Sequence, residues 1–338
     1  MDAHKREVHA RVEFKRIRLH PPYLLEAQHI LDVEREVGRA TKGLEQSIVQ
    51  ITGPSHTGKS TIIKDYCERV SENEAPPPGR HPVLHVTLTS KSSVGSLGND
   101  ILKAMAGCAL PATVVTDLVN MRPRERVSAV KRALPEIMHV ATKALRNAGT
   151  ELLVLDEAHH LSPSETAAVT NQNVTEAIKW IAIQGVCPVV CVGTKRLRGL
   201  LSADVNSQVA NRTVESIHLD PIDFDDDKGF DTFCGYLDAL DDKLVEHDIF
   251  PKKSDLIQEK WPDCFYDVSK GVIGRVSRLV EAAAVSAIRA GRSRIELQNL
   301  DVATRTWAMK TKVTDYNPWT EKGPRDVQDI RRKALNVE

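Results

Sequence analysis

The sequence predicts an α/β fold in which a largely parallel sheet is flanked by helices and is followed by a small C-terminal helical unit. Three observations predict it. Five short apolar runs have strand length and are mostly separated by helix-forming segments, a glycine-containing loop follows the first run directly, and the pattern becomes helical after Asp220.

The elements follow in chain order. Residues 1–43 read as a basic, helical extension whose first twenty positions carry Lys5, Arg6, Arg11, Lys15, Arg16 and Arg18. The runs 47–51, 83–88, 152–155, 188–192 and 214–219 read as strands, and together with the helices between them make a domain spanning 44–220. Pro76 to Pro82 is an extended turn joining the helix after the first strand to the second strand, because proline lacks the N–H donor and restricts its predecessor. Residues 221–306 read as a helical lid domain. Its start is crowded with aspartates, Gly271 and Gly274 punctuate it, and 277–289 is amphipathic on Leu279, Val280, Ala283 and Ala287. Residues 307–338 contain Asn317-Pro318 and Gly323-Pro324 with little apolar periodicity and are expected to be a tail.

Composition removes several classes of function. With 338 residues and 41% hydrophobic content the chain is expected to fold rather than to stay disordered. It has no apolar stretch approaching the roughly 18 residues of a membrane span, and its charged N-terminus lacks the apolar core of a signal peptide. A cytoplasmic protein with no membrane partner is the expectation. Cys67, Cys108, Cys187, Cys191, Cys234 and Cys264 form no CxxC pair and are expected as reduced thiols, not metal ligands. The 46 basic and 46 acidic residues balance, so any nucleic-acid site must come from local charge segregation.

The chemistry concentrates in two motifs. Gly53-Pro54-Ser55-His56-Thr57-Gly58-Lys59-Ser60 fits GxxxxGK[ST], the Walker A pattern, and sits between a strand and a helix that begins near Thr61. Glycines let backbone N–H groups approach phosphates, the helix N-terminus adds positive potential, Lys59 reaches the terminal phosphates and the Ser60 hydroxyl can ligate Mg²⁺. About a hundred residues on, Asp156 and Glu157 close an apolar strand in the Walker B manner, as sequential side chains directed to opposite sides. There Asp156 would hold the magnesium shell, and Glu157 would activate the attacking water. ATP and Mg²⁺ are the cofactors this order of motifs predicts, and ATP hydrolysis the reaction. Asp-Glu-Ala-His also spells a helicase box, but the paired-arginine motif of a two-lobed helicase is missing near the C-terminus. His56, His159 and His160 are read as polar fillers without a chemical role.

From about His20 to Ala303 the chain resembles the TniB/TnsC family of transposon AAA+ ATPases. The likeness rests on the segment from His20-Pro21-Pro22-Tyr23 through Arg39, the GPSHTGKST loop, LLVLDEAHHL, the CVGTKRL run, Asn206 to Arg212, and GVIGRVSRLVEAAA. It implies a P-loop NTPase of AAA+ type. By resemblance, Thr194 would stand between the γ-phosphate and the catalytic water, Arg212 would reach into a neighbouring subunit's site, and Arg275 would be the lid arginine that senses nucleotide. An arginine supplied in trans contributes roughly 10³ to 10⁵ in rate, about 4–7 kcal/mol of barrier, so isolated subunits would be poor ATPases.

The resemblance also implies partners. Such proteins assemble as rings or helical filaments on duplex DNA and connect a TniQ/TnsD-like target selector to a TnsB/TniA-like DDE transposase. DNA contacts would come from the segment after the second strand, here Lys91 and Ser92, with Lys103 on the next helix and Arg122, Arg124 and Arg126 beyond. These cations suit phosphates, which position a protein without reading sequence. Asn317-Pro318-Trp319 with the basic residues after it is a candidate docking peptide for a partner. The ATPase motifs fit a helicase loader or a replication initiator as the alternative, and a nucleotide-gated DNA scaffold with negligible hydrolysis as a third reading.

Overall fold

A computed structural model of the chain describes residues 3–89, 94–105, 137–161, 177–198, 213–224, 227–320 and 322–325. These fall into two compact units. One comprises Leu24–Ser55 and Lys59–Leu219, the other Met1–Tyr23, His56–Gly58 and Asp220–Glu338.

The first unit is built on five parallel strands, β1 (Ile48–Thr52), β2 (Val83–Thr87), β3 (Leu152–Asp156), β4 (Val189–Gly193) and β5 (Thr213–His218), in the spatial order β2-β3-β4-β1-β5. The three inner strands IVQIT, LLVLD and VVCVG are buried at every position, which is why they read as apolar runs; edge strand β2 alternates instead. Inserting β4 between β1 and β3 brings Thr52 level with Gly193, one strand away from Asp156. The crossovers that leave the neighbouring strands β1 and β4 run in opposite directions over the sheet, to β2 and to β5, and such folds open a crevice beyond the ends of strands so related. Helix α4 (Val94–Ala104) and the helical residues at 137–147 and 177–183 supply the rest of this core through Ile101, Leu145, Ile178 and Ile181, while α3 (Lys59–Glu74) buries Ile62, Ile63 and Tyr66. Cys187 and Cys191 are buried in it, and burial pushes each thiol up to about 12, so they pack as small hydrophobes.

Helix α2 (Pro22–Ala40) buries Leu24, Ala27, Leu31, Glu34, Arg35 and Gly38, a helical stripe with two charges in it. Both charges are matched. Arg35 bonds Glu151 Oε2 at 2.6 Å and Glu74 Oε2 at 2.6 Å, tying the helix to the entry of β3 and the end of α3, and Glu34 accepts from the Ser47 hydroxyl.

The second unit is helical. It contains α1 (Ala3–Phe14), α5 (Asp227–Glu246), α6 (Trp261–Ser269), α7 (Ile273–Arg289), α8 (Leu297–Ala303) and a single π turn at Thr304–Ala308. Phe224, Phe233, Leu237, Phe265, Val276, Leu279, Val280 and Ala283 form its core. Helix α6 ends where Lys270 and Gly271 turn left-handed. A Cβ on Gly271 would meet the Ile222 carbonyl at 2.2 Å, so this stop requires glycine. Gly274 does not punctuate the chain as the pattern predicts; it lies in the first turn of α7, which starts four residues before the amphipathic stretch.

Two expectations about the termini are corrected. The N-terminal extension is divided between the units: α1 packs in the helical unit, where Glu7 holds Arg289 at 2.8 Å through two bonds and Arg11 at 2.9 Å, while Leu24 onwards belongs to the sheet unit. Residues 308–320 and 322–325 are not a free tail, and 326–338 lie outside the described residues. Trp319, only 4% exposed, sits edge-on to Trp261 and Phe265 and donates from Nε1 to Thr304 Oγ1 at 2.9 Å. Arg325 then clamps the fully buried Asp267 at 2.6 Å. Asn317-Pro318-Trp319 is therefore core, its apolar surface already covered, and no exposed docking peptide.

Candidate phosphate-binding site

The loop after β1 has the backbone of a phosphate cradle. His56 (φ 69°) and Gly58 (φ 92°) are left-handed, and Gly53 N–H anchors the loop by donating to the Gly193 carbonyl at 3.2 Å. Helix α3 starts at Lys59, so the positive end of a 16-residue helix faces the loop. Lys59 is 9% exposed, and its ammonium donates to the carbonyls of Gly53 at 2.8 Å and Pro54 at 2.6 Å. Burial lowers its pKa, and the charges of Glu157 and Asp156 oppose that shift. Ser55, His56 and Thr61 are exposed and Thr57 is buried.

Asp156 ends β3 with its carboxyl 4% exposed. Burial pushes its pKa up, but His85, Ser60 and the Glu157 N–H, which donates to Oδ1 at 2.8 Å, together hold it below the usual carboxylate value. His85 Nε2 stands 3.5 Å from Oδ2, longer than a strong hydrogen bond. Ser60 and Asp156 thus form an all-oxygen pair of the kind that magnesium prefers. Glu157 is not a strand residue with an alternating side chain, as the spacing predicts. It lies beyond β3 with φ 58°, opening the 3-10 turn Ala158–Leu161, and its Oε2 is 3.2 Å from His159 Nδ1.

Thr194 follows β4 directly, and its hydroxyl oxygen is buried without a hydrogen-bond partner among the described residues. A buried hydroxyl in that state is costly and calls for a polar partner beyond the described residues. Below it, Thr52 Oγ1 is bonded by Arg198 Nε and by His218 Nδ1, both at 2.9 Å, which joins the ends of β1 and β5 to the turn after β4. Neither Arg198 nor His218 is marked by any motif, and the partners are 146 and 166 residues from Thr52 in the chain. In the helical unit, Gly274 N–H donates to the His56 carbonyl at 2.9 Å, a Cβ there would come within 2.4 Å of that oxygen, and Arg275 follows, bonded to the Ser269 carbonyl at 3.4 Å.

The structure therefore brings together Gly53, Lys59, Ser60, Asp156, Glu157 and Thr194. Lys103 lies at the end of α4, exposed and 3.9 Å from Asp100, away from this group in the sequence. Arg212, Lys91, Ser92, Arg122, Arg124 and Arg126 lie outside the described residues. No helix among the described residues is long and apolar enough to cross a membrane.

Solved structures share this architecture. The Aeropyrum pernix ORC2 protein, in its ADPNP-ADP complexes, superposes with a TM-score of 0.53 at 16% identity, over 83% of this chain and 66% of that one. The Cdc6 protein of Pyrobaculum aerophilum gives a TM-score of 0.56 at 12% identity, over 95% and 86%. The Aeropyrum pernix ORC1 protein in complex with DNA gives 0.50 at 15% identity, over 83% and 64%. The chain thus spans about two thirds of the length of the two ORC proteins, and at these identities the likeness shows the fold: an α/β P-loop NTPase of AAA+ type with a parallel sheet flanked by helices. Comparison with curated proteins gives no match. Comparison with protein families matches residues 23–222, more than half of the sequence and all five strands of the sheet, to the Bacterial TniB protein family. The chain belongs to that family of AAA+ ATPases.

Proposed function

We propose that the chain binds ATP with Mg²⁺, hydrolyses it, and assembles through nucleotide on duplex DNA to regulate DNA transposition, linking a TniQ/TnsD-like target selector to a TnsB/TniA-like transposase in the cytoplasm. The observation that carries the nucleotide part is the convergence of the Lys59 cradle, the Ser60–Asp156 oxygen pair and the orphaned Thr194 hydroxyl at the ends of β1, β3 and β4. Membership of the Bacterial TniB protein family supports the transposition part.

The residues fit ATP and magnesium. Backbone N–H groups of Ser55 to Thr61 surround the phosphates, and Lys59 leaves its carbonyl partners for the terminal phosphate oxygens. Ser60 and Asp156 would hold Mg²⁺, which neutralises charge on the β- and γ-phosphates when bound. Thr194 orients the water. Glu157 accepts its proton as the water oxygen bonds to the γ-phosphorus and the bond to the bridging oxygen breaks, leaving ADP and phosphate. Arg275 senses nucleotide from its own subunit and Arg212 completes a neighbour's site, so turnover rises with assembly. Lys91, Ser92, Lys103, Arg122 and Arg124 supply phosphate contacts, and repetition around DNA turns a few cations per subunit into a track on a chain of zero net charge.

Negative-stain imaging with duplex DNA tests the proposal. Rings or filaments are expected with ATP or a non-hydrolysable analogue and not with ADP or with Lys59→Ala. Monomers on DNA in every nucleotide state refute it. The fold likeness to ORC and Cdc6 proteins favours a second reading, a replication initiator or helicase loader. Binding assays with a purified transposase and with a replicative helicase separate the two.

A further inference from the structure

Beside the phosphate cradle, three side chains present donor atoms to one another that hydrolysis does not need as a group. Glu157, His159 and His160 each offer a ligand atom, and all three atoms lie within 4.8 Å of one another. The backbone is the reason. Glu157 is left-handed and opens a 3-10 turn, in which residues three apart eclipse, so the side chains at 157 and 160 share a face with 159 beside them. The His159 ring has room because it lies over Gly193, where a Cβ would stand 3.4 Å from its Nδ1.

Two independent observations point to a ligand. His159 Nδ1 is buried without a hydrogen-bond partner, although Glu157 Oε2 is 3.2 Å away. That separation is close to the roughly 3.3–3.6 Å between neighbouring donors of a tetrahedral ion with bonds of about 2.0–2.2 Å. His160 Nδ1 lies 3.3 Å from the Leu88 carbonyl, which can only accept, and an imidazole that donates there from Nδ1 leaves its Nε2 lone pair for a metal. A ring held by a backbone carbonyl through one nitrogen, with the other left to coordinate, is the usual outer arrangement of a metal-binding histidine.

We propose that Glu157, His159 and His160 form a binding site for a divalent transition-metal ion of the zinc class. Its occupation withdraws the Glu157 carboxylate from water activation and arrests ATP hydrolysis while leaving nucleotide binding intact. The inhibitory consequence rests on the catalytic role proposed above for Glu157; the site itself does not. Two imidazoles and a carboxylate with a fourth position open suit Zn²⁺, whereas Ser60 and Asp156 offer only oxygen and suit Mg²⁺, which gives up its water reluctantly. Excess magnesium therefore does not displace the zinc-class ion. An ion held there keeps the protein charged with ATP and, on the assembly reading, locked on DNA.

The test uses the tag-free full chain without nucleotide, in excess Mg²⁺, with Zn²⁺ partitioned between the protein and a chromophoric chelator. The wild type is expected to take up a single tight Zn²⁺ per chain, and His159→Gln with His160→Gln to weaken that uptake at least about tenfold. Zinc uptake that the double variant retains in full overturns the site. The single variant His160→Gln, in a partly exposed turn, guards against misfolding, and its circular dichroism should match the wild type. ATP hydrolysis in excess Mg²⁺ is then titrated with Zn²⁺. Inhibition at the concentration that fills the site, shifted at least about tenfold in the double variant, is expected, with fluorescent-nucleotide binding unchanged; an unshifted dose response overturns the inhibitory mechanism. Glu157→Gln hydrolysing ATP at the wild-type rate would refute the catalytic role instead, and the chelator measurement is independent of that result.

Discussion

Replacing Gly274 with alanine should loosen the phosphate cradle from outside it. A Cβ at this position of α7 would lie 2.4 Å from the His56 carbonyl oxygen, 3.0 Å from His56 Cβ and 3.2 Å from its carbonyl carbon. The obstacle is backbone, so no rotamer change relieves it, and His56 must retreat by roughly 1 Å to reach van der Waals separation. That retreat breaks the 2.9 Å bond from Gly274 N–H and displaces the loop whose own N–H groups must meet the phosphates. Overpacking of this kind costs about 1–3 kcal/mol. At about 1.4 kcal/mol per decade this corresponds to roughly 5- to 140-fold weaker nucleotide binding. The assay is equilibrium titration with a fluorescent ATP analogue. Gly235→Ala is the control, because a Cβ there meets nothing within 4 Å and the position lies inside α5. It should leave nucleotide affinity alone and stabilise the fold by up to about 1 kcal/mol. Wild-type nucleotide affinity in Gly274→Ala would show that this contact does not set the cradle's geometry.

Trp319→Ala should destabilise the helical unit by about 3–5 kcal/mol, since it empties a core position and leaves Thr304 Oγ1 without its donor, and Trp319→Phe by less; thermal denaturation followed by near-UV circular dichroism reads both, and an unchanged midpoint would return this stretch to a loose tail. Arg35→Ala leaves the largely buried Glu151 with only Arg39, 3.9 Å away, and should cost about 3 kcal/mol in urea unfolding, the low end for a broken buried pair because that cation remains and Glu74, 38% exposed, rehydrates. Asp156 sets an acid dependence. Its folded pKa lies below the unfolded one, so its hydrogen-bond partners stabilise the charged carboxylate, and with it the protein, fully above the ordinary aspartate range near pH ~4, and the contribution is lost as pH falls through the lower folded value. Asp156→Asn should therefore flatten the acid limb of the stability profile, and a limb identical to the wild type would mean that the carboxyl is not held by His85, Ser60 and the Glu157 N–H.

The strands were legible because they are buried on both faces. Each inner strand leaves an apolar run that needs no partner to be seen, and its boundary was missed by one residue only because Thr52, Asp156 and Gly193, polar or small, still pair at the carboxyl ends. The loop after β1 was legible for a related reason: glycine, lysine and hydroxyl at fixed spacing are a local property of the chain. Trp319 was misread because an irregular segment has no periodicity to announce that its side chain fills a hole between Trp261 and Phe265.

By itself the amino-acid sequence determined the α/β class, the positions of the strands and the phosphate-binding loop, all consequences of short-range spacing and of which residues avoid water. Tertiary structure alone decided that β4 separates β1 from β3, that His85 flanks Asp156, that Thr52 gathers Arg198 and His218, and that Glu157 leaves the strand to meet His159 and His160. Except for that last turn, these depend on strand order and register between segments far apart in the chain. Such pairing is chosen by the packing of the whole core, and no local pattern of residues records it.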